Sequence, residues 1–266
     1  MTENNNKQKD LFNKHQCRYD SFAADSYVQE YTMRMFWSRF VDVLKDSNSI
    51  LEVGCGGHTN FVKLGDLGIS PGTYDGVDIS DKLVEMFEQN TPDSSTGYCA
   101  DFTSQAFDPG KKYDCLLFIG VLHHMTKSLD AALEKCSELV KDGGHVVFVE
   151  PNVAFLDFAR RIWYRFSDEF DDENERALSI EEITDLCENH GFSNIKKEFC
   201  GNAGFFVACT HEILKLPWFA RKLLFRPLFH LDVLLAKLNW KYISAQHISV
   251  WKNNGRPIAP PVDSAS

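Results

Sequence analysis

No uncharged apolar run in this chain approaches the roughly 18 residues that a membrane-spanning helix needs. A basic leader followed by an apolar core and a small-residue cleavage site, the mark of a secretory signal, is missing as well. The eight cysteines, at positions 17, 55, 99, 115, 136, 187, 200 and 209, form neither a C-x-x-C pair nor a zinc spacing, so no metal site is expected from them. Scattered thiols without a leader point to a reducing, cytoplasmic compartment. Positive charge is scarce: Lys and Arg number 28 against 38 Asp and Glu, for a net charge of −10. That balance argues against an obligate nucleic-acid binder, which needs a basic surface. The phosphate-loop string G-x-x-x-x-G-K-[ST] is also absent. What remains is a chain of 266 residues, long enough for one large α/β domain with a sizeable core.

The stretch that stands out is Ile50-Leu51-Glu52-Val53-Gly54-Cys55-Gly56-Gly57-His58-Thr59. An apolar run breaks off in glycines and a helix-compatible segment follows, the pattern of a strand, a tight turn and a helix start. Further strands are expected at Tyr74–Ile79, Thr96–Ala100, Tyr113–Gly120 and His145–Val149, with helices between them, Ser80 capping one and Ser128 opening another. Tyr113–Gly120 is apolar on both faces, as a central parallel strand should be. Ile195–Phe199, Phe205–Thr210 and Ala245–Trp251 also read as strands, and Ser179 with Glu182 as a capping box before another helix. Alternating strands and helices specify a doubly wound, mostly parallel sheet. The expected domains are residues 1–44 as a disordered start and a helical cap running from Asp20 or Ser21 to Leu44, residues 45–252 as the α/β domain, and residues 253–266 as a flexible tail. Asp168–Glu175 is an acidic solvated connection.

In such sheets ligands sit at the carboxyl ends of the strands, near the switch in strand order. A dinucleotide loop would read G-x-G-x-x-G, and here Thr59 stands where the third glycine belongs. A nucleoside without phosphates asks less of the loop. Asp78, 24 residues beyond Gly54, suits an acid that accepts from both ribose hydroxyls, although NAD proteins place an acid similarly. Asp101 can accept from the exocyclic amine of adenine, with Phe102 as a flat apolar neighbour. Each acid taken alone serves equally well as a turn former or helix cap.

Together the strings Leu51–Gly57, Gly76–Ser80, Cys99–Phe102, Tyr113–Met125 and Lys141–Asn152 resemble the class I S-adenosylmethionine-dependent methyltransferases, of the small-molecule type 11/12-like kind. The likeness covers about residues 45–210 and the last strand. It implies a Rossmann-like, seven-stranded, mostly parallel sheet with an antiparallel last strand and a helical insertion before it. It also implies S-adenosylmethionine as cofactor. Glu52, Gly54, Gly56 and Gly57 would shape the pocket for the methionine moiety. Asp78 would hold the ribose with Ile79 against the adenine, and Asp101 and Phe102 would hold the adenine edge and face. Gly120 and the Val121–His123 turn would close the pocket near the sulfonium. His58 departs from the family's usual G-x-G-x-G: either the turn is rearranged around Gly57 or His58 touches the ligand carboxylate.

Three residues are candidate bases for a methyl acceptor: His123 and His124, which follow the fourth strand, and Glu150, which ends the fifth. The same His-His turn also serves a purely structural role across the superfamily, and Glu150 could form only the pocket floor. The insertion 211–243 carries Lys215, Arg221, Lys222, Arg226, Lys237 and Lys241 against Glu212 and Asp232, among many leucines and aromatics. It can be a structural cap, a substrate lid or a peripheral membrane contact. The expected reaction is methyl transfer to a small, apolar or lipid-linked metabolite. Beside it stand a protein methyltransferase, a non-catalytic S-adenosylmethionine-binding or interaction protein and, third, an NAD-dependent oxidoreductase. Nothing in the sequence fixes the oligomeric state.

Overall fold

The computed structural model describes residues 25–56, 59–155, 177–210 and 214–255. The Asp20/Ser21 cap, Gly57, His58, the acidic run 168–175 and the tail beyond 255 lie outside the described residues.

Seven strands form one sheet in the order β3-β2-β1-β4-β5-β7-β6. They are β1 (Ser49–Val53), β2 (Thr73–Asp78), β3 (Gly97–Cys99), β4 (Tyr113–Ile119), β5 (Val140–Pro151), β6 (Phe192–Cys200) and β7 (Gln246–Asn253). β1 pairs in parallel with β2 on one side and β4 on the other, so the switch in strand order falls between β1 and β4. β7 runs antiparallel to both β5 and β6, which is the expected reversed last strand. All five residues of β1 are buried, as are Cys115–Phe118 of β4, because helices cover both sheet faces.

The α-helices named among the described residues are α1 (Ser26–Met35), α2 (Val41–Lys45), α3 (Thr59–Asp66), α4 (Asp81–Asn90), α5 (Leu129–Leu139), α6 (Ile180–Asn189), α7 (Ala203–Cys209) and α8 (Trp218–Ala236). One core cluster gathers Tyr31 and Met35 of α1, Leu64 of α3, and Phe225 and Phe229 of α8 with Ile50, Leu117 and Val250 of the sheet. The other gathers Leu133 and Cys136 of α5 and Ile183 of α6 with Leu51, Phe118, Phe148 and Trp251. Ser80 and Ser179 cap α4 and α6 as expected, accepting from the N–H groups of Leu83 and Glu182.

Two expectations need correction. The single helix expected up to Leu44 is interrupted: α1 starts after Asp25, whose carboxylate accepts from Tyr27 and Val28 N–H, and a 3₁₀ turn at Trp37–Arg39 separates it from α2. Side chains end α1, since Ser38 Oγ donates to the Arg34 carbonyl at 2.7 Å and Arg39 to that of Met35 at 2.5 Å. Second, the run Phe205–Thr210 belongs to helix α7, not to a strand. Its local sequence suits either state. What decides is Asp232 of α8, which is buried and accepts from the N–H groups of Asn202, Gly204 and Phe205 at 2.9, 3.1 and 2.9 Å. A carboxylate from another helix satisfies the amides that a helix start leaves open.

Asp232 also accepts from Tyr31 Oη at 2.6 Å, and Arg221 reaches Asp25 with Nη2–Oδ1 at 2.9 Å, so buried polar bonds clamp α8 to α1. Burial acts to raise the Asp25 carboxyl, but the Arg221 hydrogen bond and the backbone N–H groups outweigh it and hold the group below its ordinary value.

Candidate active site

At the carboxyl edge, β1 and β4 are both followed by a glycine with positive φ. Gly54 leaves β1 at φ +65°, its N–H donating to the Val77 carbonyl at 2.8 Å. A Cβ there would sit 2.6 Å from Val121 Cγ2, so only glycine lets this turn pass beneath the segment after β4. Gly56 follows at φ +53°, and no described atom lies within 4 Å of where its Cβ would be. The backbone there borders open space, as close ligand approach requires.

Asp78 closes this turn from β2. Its Oδ2 accepts from Gly56 N–H at 3.1 Å and its Oδ1 from Ser80 N–H at 2.9 Å. Burial raises the Asp78 carboxyl above its ordinary value despite those N–H donors. Next along the edge, after β3, Asp101 accepts from Thr103 N–H and Oγ1 at 2.9 and 2.8 Å. The ring of Phe102 is buried between Phe107 and Phe118, at centroid distances of 6.0 and 5.5 Å, and belongs to the core.

After β4, Gly120 adopts φ +67° and leads into a 3₁₀ turn at Leu122–His124. Glu150, the last carboxylate of β5, holds that turn. Its Oε1 accepts from Val121 and Leu122 N–H at 2.9 and 2.8 Å, and its Oε2 from His123 N–H at 3.3 Å and His123 Nδ1 at 2.8 Å. Glu150 is fully buried. Burial alone would raise its carboxyl, but the His123 bond and the backbone donors win and depress it. An ionised partner fixes the proton of neutral His123 on Nδ1, so Nε2 is its basic nitrogen. The His124 ring lies against His123 at 4.0 Å.

Glu52 takes part differently. It sits on β1, fully buried, and accepts from Tyr74 Oη and from Asn60 Nδ2 of α3. Burial pushes its carboxyl up to about 7 in spite of those bonds and the nearby Lys63. Lys63, whose Nζ donates to Asn60 Oδ1 at 3.1 Å, is pushed down to about 8 by burial, with Glu52 opposing. This network ties α3 to the sheet beneath the glycine turn.

The strand ends that carry the expected residues thus line one edge, the Phe102 ring lies in the core instead, and Gly57 and His58 lie outside the described residues. Two further residues belong to the edge: His247 was not anticipated, and Asn152 stood only as the end of the Lys141–Asn152 string, with no role. His247 of β7 pairs across the ladder with Glu150 and is fully buried. Neither of its ring nitrogens has a hydrogen-bond partner among the described residues, and burial lowers it to about 4 against the pull of Glu150. Asn152 is buried just beyond Glu150 and donates from Nδ2 to the Lys241 and Ser244 carbonyls, both at 2.7 Å. Counting the register of the alternating 245–251 run against β5 would have pointed to His247; a carboxamide bonded to distant carbonyls leaves no local signal.

A methyltransferase-domain family model matches residues 24–197. No curated protein matches the chain closely enough to count as a relative. Among solved structures, a complex of the Haloferax volcanii Trm112 methyltransferase activator with a methyltransferase aligns with TM-score 0.60 at 13% identity, covering 94% of this chain and 98% of that one. A SAM-dependent methyltransferase from Archaeoglobus fulgidus aligns with TM-score 0.55 at 17% identity, covering 82% and 91%. The N-methyltransferase NodS from Bradyrhizobium japonicum, in complex with S-adenosyl-L-homocysteine, aligns with TM-score 0.51 at 10% identity, covering 86% and 89%. With most of its length matched by that family model, and with the glycine turn, the edge acids and the 3-2-1-4-5-7-6 sheet in place, the chain belongs to the methyltransferase-domain family and is built as a class I S-adenosylmethionine-dependent methyltransferase.

Proposed function

We propose that the carboxyl edge of β1 to β4 binds S-adenosylmethionine and that the chain transfers the methyl group to a small, apolar or lipid-linked metabolite. The observation that carries this reading is the open cradle over Gly56, flanked by carboxylates at successive strand ends, Asp78 and Asp101. Gly54 and Gly56 leave backbone for the methionine moiety, with Glu52 anchoring the helix behind them. Asp78 takes the ribose hydroxyls and Ile79 faces the adenine. Asp101 takes the adenine amine, with Phe102 lending its backbone because its ring is committed to the core. Gly120 and the following turn close the sulfonium end.

Bound there, S-adenosylmethionine would supply an electrophilic methyl group, with a neutral thioether as the leaving group. The walls of the site would hold donor and acceptor in line, and near-attack positioning of that kind, at about 3–3.5 Å, supplies much of the acceleration. His123 Nε2 takes the acceptor's proton as the new bond forms, and Glu150 acts as a positioning residue that fixes the tautomer and stabilises the imidazolium. His124 packs beside the base as a wall. The acceptor is read as apolar because the net charge of −10 disfavours nucleic acid and because the segment joined to Asn152 follows an apolar helix.

Calorimetry with S-adenosylmethionine, S-adenosylhomocysteine and NAD tests the cofactor: the first two should bind and NAD should not, and failure of both would sink the reading. Labelled-methyl transfer into a cell extract, with mass spectrometry of the product, identifies the acceptor. In that assay His123→Ala should lower kcat by about a hundredfold while leaving cofactor affinity unchanged; an unchanged kcat would remove His123 as base.

A further inference from the structure

Helix α8 is built inside out. Its inward face carries Arg221 and Asp232 with Phe225 and Phe229, all buried, and both charges are spent on bonds to Asp25, Tyr31 and the start of α7. Its outward face is apolar: Trp218 and Leu223 are 74% and 75% exposed, and Phe219, Leu231 and Leu234 are exposed with them. The spacing of Phe219, Leu223 and Leu234 sets them along one stripe of the helix. Past the helix end, Leu238, Trp240 and Tyr242 are exposed as well. A surface helix normally does the reverse, and an exposed apolar face of this kind marks a surface that something covers.

Charge says what covers it. Between residues 214 and 244 the only acid is the buried Asp232, whereas Lys215, Lys222, Arg226, Lys237 and Lys241 are cationic. Arg226 pairs with Glu30 and Lys241 with Glu181, which leaves Lys215, Lys222 and Lys237 without an acid partner among the described residues. Lys222 lies over the Trp218 ring at 5.8 Å. So an apolar ridge flanked by unbalanced lysines and tipped by tryptophans stands on a protein of net charge −10. Exposed tryptophan and tyrosine suit the headgroup level of a bilayer, and lysine suits anionic headgroups. None of the described helices is long and apolar enough to cross a membrane, so α8 would lie in the plane of the surface.

We propose that the outward face of α8, with the segment to Tyr242, docks on an anionic lipid surface. The loop that leaves this face is bonded to Asn152 at the end of β5, so docking sets the carboxyl edge of the sheet close to the lipid. This goes beyond the proposed reaction and is read without turnover, so either can fail alone.

The test is co-sedimentation of the full chain with phosphatidylcholine vesicles, with and without phosphatidylglycerol. Wild type should pellet with the anionic vesicles, less so as salt rises, and stay in solution with the neutral ones. Leu223→Glu with Leu234→Glu should abolish pelleting. Lys222→Gln with Lys237→Gln should weaken partition about fivefold per lysine. All four positions are exposed, so unchanged melting temperatures are expected and should be checked. Wild type that remains in solution with anionic vesicles overturns the proposal. So does equal pelleting of wild type and the Leu223/Leu234 variant. Light scattering that finds a wild-type dimer dissolved by the same leucine variant also overturns it, because a second copy then covers the face.

Discussion

Glu52 and Glu150 are two fully buried carboxylates near the same edge of one sheet, and their surroundings drive them in opposite directions. Glu52 is raised to about 7, whereas Glu150 is held below its ordinary value. Burial penalises both, so the donors decide. Glu150 accepts from three backbone N–H groups at the start of a 3₁₀ turn and from His123, an array that favours the ionised form. Among the described residues Glu52 accepts only from a phenol and a carboxamide, with Lys63 acting through space. The lesson is chemical: a carboxylate that caps backbone amides stays charged and can orient a histidine, while one held by neutral side chains sits near its titration midpoint and serves as a strut.

The largest effect should come from breaking the better-satisfied partner. Glu150→Ala leaves buried N–H groups and a histidine without their acceptor, and urea unfolding should show a loss of about 3–5 kcal/mol. A loss below about 1 kcal/mol would mean that water replaces the carboxylate and that the turn does not depend on it. Next in size is Asp78→Ala. If Asp78 holds the ribose as proposed, calorimetry should show cofactor affinity lower by about a hundredfold, close to 3 kcal/mol. Unchanged affinity would reduce Asp78 to a brace for Gly56.

How much of this was legible depended on where the partners lie in sequence. Strand β4 was readable because Cys115–Phe118 is apolar on both faces, a property of the string itself. The Ser80 cap was readable because donor and acceptor stand three residues apart. Helix α7 was not, because Asp232, which holds its start, comes from α8 and is 27 to 30 residues away. Glu150 was legible as an acid at a strand end but not as an anchor: three of its donors are backbone amides, which any residue supplies. For the same reason the apolar insertion was visible in sequence, whereas the inward turn of Arg221 and Asp232 required the fold.

Glu52→Gln tests the other half of the comparison through pH. The folded state holds the Glu52 proton up to about 7, above the ordinary 4.5, so between these values it binds more protons than the unfolded chain. Stability from this source is present below pH 4.5 and is lost as pH rises through 7. Wild type should therefore lose about 2 kcal/mol relative to Glu52→Gln between about pH 5 and pH 7.5. A parallel pair of curves would place the Glu52 carboxyl in the ordinary range. The same substitution removes the charge that supports Lys63, whose ammonium should fall further below its present value of about 8.

The smallest effect belongs to the neighbour that Glu150 fails to recruit. His247 stands opposite it across β5 and β7, yet neither ring nitrogen bonds to a described residue, and burial with Glu150 and Glu181 as the opposing charges leaves it at about 4. Between about 4 and the ordinary 6.5 the unfolded chain therefore binds the extra proton, and stability from this source rises with pH through that window. Leucine fills a similar space without polar atoms to desolvate. His247→Leu should thus be stabilising, and by about 1 kcal/mol more at pH 5.5 than at pH 8. The check is urea unfolding of both proteins at the two pH values. If His247→Leu is instead destabilising by about 2 kcal/mol at both, the ring is bound to Glu150 through water, and the site holds its carboxylate between two histidines.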